Sequence, residues 1–96
     1  MEKYRGYRIE TTENGFRITL DDGSDKHTHI RSRHFCKKLI DYVVDKKVPT
    51  RVSNYVLESC KRLSTDKHYI TRIDELLEVK RSKTKQFYYN PHKKSF

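Results

Sequence analysis

Ser32-Arg-His-Phe-Cys-Lys-Lys-Leu-Ile-Asp-Tyr-Val-Val-Asp-Lys-Lys47 decides how this chain folds. Its apolar residues Phe35, Cys36, Leu39, Ile40, Val43 and Val44 recur at i, i+1, i+4, i+5, i+8 and i+9, a double column that only a 3.6-residue repeat gathers on one face. That face needs a cover. Strand-like residues lie before it and two helix-like stretches after it, so the helix stands at the centre of the core. Ser32 offers a hydroxyl to its first turn, and Val48-Pro49 ends it, because proline keeps the residue before it out of helical backbone.

Upstream, Tyr4 to Thr12 and Phe16 to Asp21 flank Asn14-Gly15, which reads as a β-hairpin whose Asn-Gly pair supplies the two positive φ angles of a type I′ turn. The expected register sets Glu13 against Phe16, Thr11 against Ile18 and Ile9 against Leu20. Tyr7, Ile9, Phe16, Ile18 and Leu20 then share the buried face, and Arg8, Glu10, Arg17 and Asp21 the solvated one. Asp22-Gly23-Ser24 makes a second turn, and Lys26 to Ile30 a third strand. Only an odd loop turns Thr28 and Ile30 inward, which places His27 and His29 outward beside Arg17 and Thr19.

Downstream, Thr50 or Ser53 caps a second helix whose inner face is Val52, Tyr55, Val56, Ser59, Cys60 and Leu63. Ser64-Thr65 reverses the chain, and Asp66 suits the positive end of a third helix. Ile70, Ile73, Leu76 and Leu77 point inward there, with Tyr69 and the stem of Lys80, and the helix ends near Arg81. The expected fold is α+β: a small three-stranded antiparallel sheet, a β-meander, packed against three helices in the order βββααα. Residues 1–81 form one domain and residues 82–96 a basic, aromatic C-terminal tail.

Ninety-six residues make a single domain that buries about 60–65% of its unfolded surface. With 33% hydrophobic and 36% charged residues the chain is low in hydrophobicity, yet its apolar positions are periodic, which is the mark of a globular protein. No run approaches the roughly 18 apolar residues of a membrane span, and Met-Glu-Lys-Tyr-Arg lacks the apolar stretch of a signal peptide. A soluble, cytoplasmic protein without a membrane partner is expected. Cys36 and Cys60 each sit on the apolar column of a helix, where a free thiol packs as a small hydrophobe; a reducing compartment follows.

The charge is uneven. Up to Ile30 the acids outnumber Lys and Arg by one, so from Arg31 onward the surplus of cations exceeds the net +9 of the whole chain. Such a surplus draws polyanions or an acidic protein face by long-range steering. One basic cluster, His27, His29, Arg31, Arg33, His34, Lys37 and Lys38, straddles the start of the central helix, where positive side chains oppose the helix dipole unless an anion sits between them. Arg31, Arg33 and Lys37 are expected to contact a phosphate backbone, with Lys38 beside them. A second group follows the third helix: Lys80, Arg81, Lys83, Lys85, Lys93 and Lys94 without one acid, interleaved with Phe87, Tyr88, Tyr89 and Phe96. Cations neutralise phosphates and rings stack on exposed bases, as in single-strand and RNA-binding surfaces. The other reading folds Phe87-Tyr88-Tyr89 back onto the core and leaves the lysines merely solvated.

Other constellations fall short of a chemistry. His27, His29, His34 and Cys36 have the atoms to bind zinc, but their spacing matches no closed four-ligand pattern, so no metal or cofactor is expected. Asp74, Glu78 and Lys80 lie on one helix at salt-bridging spacing rather than as a nuclease site. Glycine-rich phosphate loops, nucleophile elbows and paired-carboxylate clefts are missing, and no enzyme is expected. Helices two and three also fit a helix-turn-helix with Lys67, His68, Thr71, Arg72 and Glu75 facing a major groove, although any antiparallel helix pair presents such faces.

Tyr4-x-Gly6-Tyr7-x-Ile9, then Gly15-Phe16-Arg17-Ile18, Asp22-Gly23 and a helix, resembles small uncharacterised proteins of bacterial phages and mobile elements over about the first half of the chain. It is similar, more distantly, to the sheet-plus-helix DNA-binding modules of transposon integrases. Those modules insert the sheet into the major groove; here its outer face mixes Glu10 and Asp21 with Arg8 and Arg17. Together these features point to a small non-enzymatic nucleic-acid-binding accessory or regulatory protein making mainly phosphate-backbone contacts. The competing reading is a phage- or mobile-element-encoded inhibitor or adaptor, anti-CRISPR-like, whose partner is a host nucleoprotein or another acidic surface.

Overall fold

A computed structural model describes the backbone of residues 1–88 and the side chains of residues 1–82. Four strands precede three helices: β1 (Glu2–Tyr4), β2 (Tyr7–Thr12), β3 (Gly15–Leu20), β4 (His27–Ile30), α1 (Arg33–Val44), α2 (Asn54–Leu63) and α3 (Lys67–Tyr88). The strands form one antiparallel meander in the order β1-β2-β3-β4. The class is α+β as expected, with one more strand than the three anticipated.

The extra strand comes from a turn that the hydrophobic pattern conceals. Arg5 at φ 48° and Gly6 at φ 88° carry the two positive angles of a type I′ turn, so the chain reverses inside what reads as one long strand and pairs Tyr4 with Tyr7. Asn14-Gly15 is not that turn. Thr12 pairs with Gly15 across Glu13-Asn14, and the β2–β3 register is Thr11 to Phe16 and Ile9 to Ile18, two residues from the expected one. A two-residue slip keeps every side chain on its own face, so the apolar pattern fits both registers equally. The β3–β4 register is the expected one, His29 against Arg17 and His27 against Thr19, with Thr28 and Ile30 buried and both histidines exposed.

One continuous core joins sheet and helices. Tyr7, Ile9, Ile18 and Ile30 from the sheet meet Cys36, Leu39, Ile40 and Val43 of α1, Leu57, Cys60 and Leu63 of α2, and Tyr69, Ile73 and Leu77 of α3. Three buried hydroxyls are paired: that of Tyr7 donates to the Leu63 carbonyl, that of Thr28 to Ser59 Oγ, and that of Tyr69 to the Lys47 carbonyl. α2 departs from expectation in its rotation. Leu57 is fully buried while Tyr55 is half exposed, because α2 packs against α1, α3 and β4 together and its buried arc centres on Leu57 and Cys60.

The helix ends follow two different rules. Ser53 accepts the Val56 N–H and so caps α2; Asp66 accepts from His68 and Tyr69 and caps α3. Ser32 precedes α1 in extended backbone but makes no side-chain cap, and α1 has no acid in its first turn. α3 does not stop near Arg81 but continues to Tyr88, so residues 82–88 of the expected tail carry helical backbone. No described helix is long and apolar enough to cross a membrane.

Candidate functional site

The start of α1 is fixed by the end of β4. Ile30 is buried, which leaves Arg31 and Ser32 to cross from the sheet to the helix, and Arg31, Arg33, His34, Lys37 and Lys38 are all exposed. Gly15 lies against this crossing. A Cβ there would stand 2.7 Å from the Ile30 carbonyl oxygen and 3.0 Å from Arg31 Cα, so only glycine admits the approach.

The expected basic residues fall into three groups. Arg31, Arg33 and Lys38 have no ion-pair partner among the described residues. Lys37 pairs with Glu2 at 2.8 Å and lies 5.3 Å from the centre of the Tyr4 ring; the pairing pulls the Glu2 carboxyl below its ordinary range and raises the Lys37 ammonium. Lys80 donates to the Val52 carbonyl, and Arg81 pairs with Glu58 at 2.7 Å. Exposed pairs of this kind are worth under about 1 kcal/mol and yield readily to a stronger anion. Lys83, Lys85 and Tyr88 lie on α3 past the described side chains. Tyr89, Lys93 and Lys94 lie outside the described residues, as do His92 and Phe96.

Lys80 reaching Val52 has a geometric consequence. α3 runs antiparallel to α2, and its later turns arrive beside the start of α2, whose Tyr55 and Val56 share a recess of about 560 Å³ with Ile30, Arg31, Ser32 and Phe35. Lys80 of the second basic group therefore stands near the end of the molecule that carries Arg31. The opposite end differs: Arg5 is held by Asp41 at 2.7 Å and Asp45 at 2.8 Å, Lys46 by Asp66 at 2.8 Å, and Lys61 by Asp74 at 2.9 Å. Arg5 lowers the carboxyls of Asp41 and Asp45 from their ordinary value, and Lys46 does the same to Asp66. Lys67, His68, Thr71, Arg72 and Glu75, the face suited to a helix-turn-helix, are exposed, while Tyr69 among them is buried.

At the α1 end the cations are accompanied by aromatic rings, Arg31 by Tyr55 and Arg33 by Phe16. Tyr55 is 50% exposed, the most exposed Tyr or Phe among the described residues. It and Arg31 form the divide between the 560 Å³ recess and one of about 400 Å³ that reaches Phe16. Phe16 in turn borders a third recess, of about 650 Å³, with Arg33 6.0 Å from its ring centre and the Lys37–Glu2 pair also in its lining. Sequence reading missed Tyr55, which it placed in the core. A signal for it existed in the helical phase: Tyr55 lies well over a quarter-turn from Cys60, outside the arc of Leu57, Cys60 and Leu63.

Both thiols are free and buried, Cys36 bordering the third recess. Burial pushes Cys60 up to about 11 and raises Cys36, whose Sγ points at the Ser32 carbonyl. Among the described residues no three His, Cys, Asp or Glu side chains converge as metal ligands would. Compared with family models, curated proteins and solved structures, the chain matches none.

Proposed function

We propose that this chain is a small non-enzymatic nucleic-acid-binding protein, an accessory or regulatory factor held to its ligand mainly by phosphate contacts. The observation that carries the reading is the composition of one end of the molecule, where Arg31, Arg33 and Lys38 have no carboxylate partner among the described residues and Arg31 and Arg33 stand beside the rings of Tyr55 and Phe16. A net charge of +9 steers a polyanion toward the protein, and the carboxylates that neutralise the opposite end orient it. Lys37 and the third-helix cations Lys80 and Arg81, with Lys83, Lys85, Tyr88, Tyr89, Lys93 and Lys94 beyond them, complete the proposed contact set.

The test is titration of the full chain with labelled DNA and RNA at several salt concentrations. Affinity is expected to fall steeply with salt, by about 0.7–0.9 in logarithmic slope per phosphate contacted. The triple variant Arg31→Ala, Arg33→Ala, Lys38→Ala is expected to lower that slope by about two units. An unchanged slope removes the site. Negligible binding of any free nucleic acid at low salt removes the function and leaves the inhibitor or adaptor reading, docking on an acidic protein face.

A further inference from the structure

Resting on the nucleic-acid reading and going beyond it, we infer that the three recesses at the α1 end form one track for unpaired RNA nucleotides, with Tyr55 as the stacking platform. The recesses are strung in a row rather than scattered. The first and second share Ile30, Arg31 and Tyr55, and the second and third share Phe16, over which Arg33 sits. Each divide thus pairs one ring with one guanidinium, the combination that separates successive bases while holding the phosphate between them.

Duplex DNA suits this surface poorly. A duplex presents a stiff phosphate ladder and edge-on bases, whereas pockets divided by rings receive bases that have left the stack. The choice of RNA over a DNA strand rests on Glu13, the carboxylate lining the middle recess beside Asn14 and Thr12. It repels a phosphate but accepts from a hydroxyl, and only ribose offers a 2′-hydroxyl donor. Splayed, unpaired nucleotides are also the ordinary form in which RNA loops are read.

The experiment is fluorescence anisotropy of the full chain with a mixed-sequence 12-mer as single-stranded RNA, single-stranded DNA and duplex DNA. Single-stranded RNA is expected to bind tightest. Tyr55→Ala is expected to weaken it roughly 5- to 100-fold, the effect of losing one base–ring stack, and Tyr55→Phe to restore most of it. Tyr55 is half exposed, so unchanged circular dichroism and melting will accompany both variants. Duplex bound as well as single strand, or a Tyr55→Ala variant that binds normally, overturns the track while the broader reading stands. DNA and RNA strands of equal affinity overturn the assignment to RNA. Failure to bind any of the three overturns the broader reading itself.

Discussion

Gly15 links the fold to the candidate site through a single missing atom. At φ 156° it pairs with Thr12, and the Ile30–Arg31 backbone passes through the space a side chain would need. Gly15→Ala must push that backbone away, because the obstacle is main chain rather than a flexible tip. We expect a loss of order 1–3 kcal/mol, read as a lower urea midpoint. Arg31 would move with the strand, so nucleic-acid binding should fall as well. An alanine variant as stable as the parent would show that β4 yields freely. Gly6 differs in kind: nothing stands near its missing Cβ, and its φ of 88° alone calls for glycine.

At the level of elements, the helix ends set the response to acid. Asp66 carries two jobs, accepting two N–H groups at the start of α3 and pairing with Lys46, and its carboxyl lies below its ordinary 3.8. Asp41 and Asp45, tying α1 to the β1–β2 turn through Arg5, are lowered in the same way. Folded-state values beneath unfolded ones mean that the folded chain binds fewer protons. Their stabilisation is complete above about pH 5 and drains away as pH falls through 3.8 and below. The urea midpoint is therefore expected to decline from pH 5 to pH 3 or so, and Asp66→Asn, which keeps an acceptor but no charge, to decline less steeply. Parallel pH profiles for the two proteins would contradict this. α1 is the converse element. Without acid or cap at its start it forgoes a few tenths of a kcal/mol that an anion there would return.

For the molecule as a whole, stability and the candidate site are separable. The core runs unbroken through Ile18, Leu39, Leu57 and Leu77, all fully buried, while Arg31, Arg33 and Lys38 are exposed and make no ion pair among the described residues. The triple alanine variant at those cations should melt within about 2–3 °C of the parent, as surface changes away from caps and pairs do. Leu39→Ala in contrast should cost about 2–5 kcal/mol, a large part of the roughly 5–15 kcal/mol that holds a domain of this size. Differential scanning fluorimetry of the two variants decides the matter. A triple variant that melts early would make those cations structural.

Local periodicity was enough to determine the central helix, the faces of the main apolar residues of β2, β3 and β4, the β3–β4 register and the crowding of cations after Ile30. Each of those follows from spacing along the chain, where burying the wrong face is costly over several residues at once. Tertiary structure alone decided the rest. The β2–β3 register is invisible to patterning because a two-residue slip buries the same side chains. β1 is a strand because Tyr4 donates to Asp41 and Arg5 and Glu2 find partners on α1, residues far along the chain. Tyr55 faces outward because α2 is packed on three sides. Arg31 and Tyr55 meet only once the loop after α1 has carried the chain back, and contacts of that kind have no signature in the order of residues.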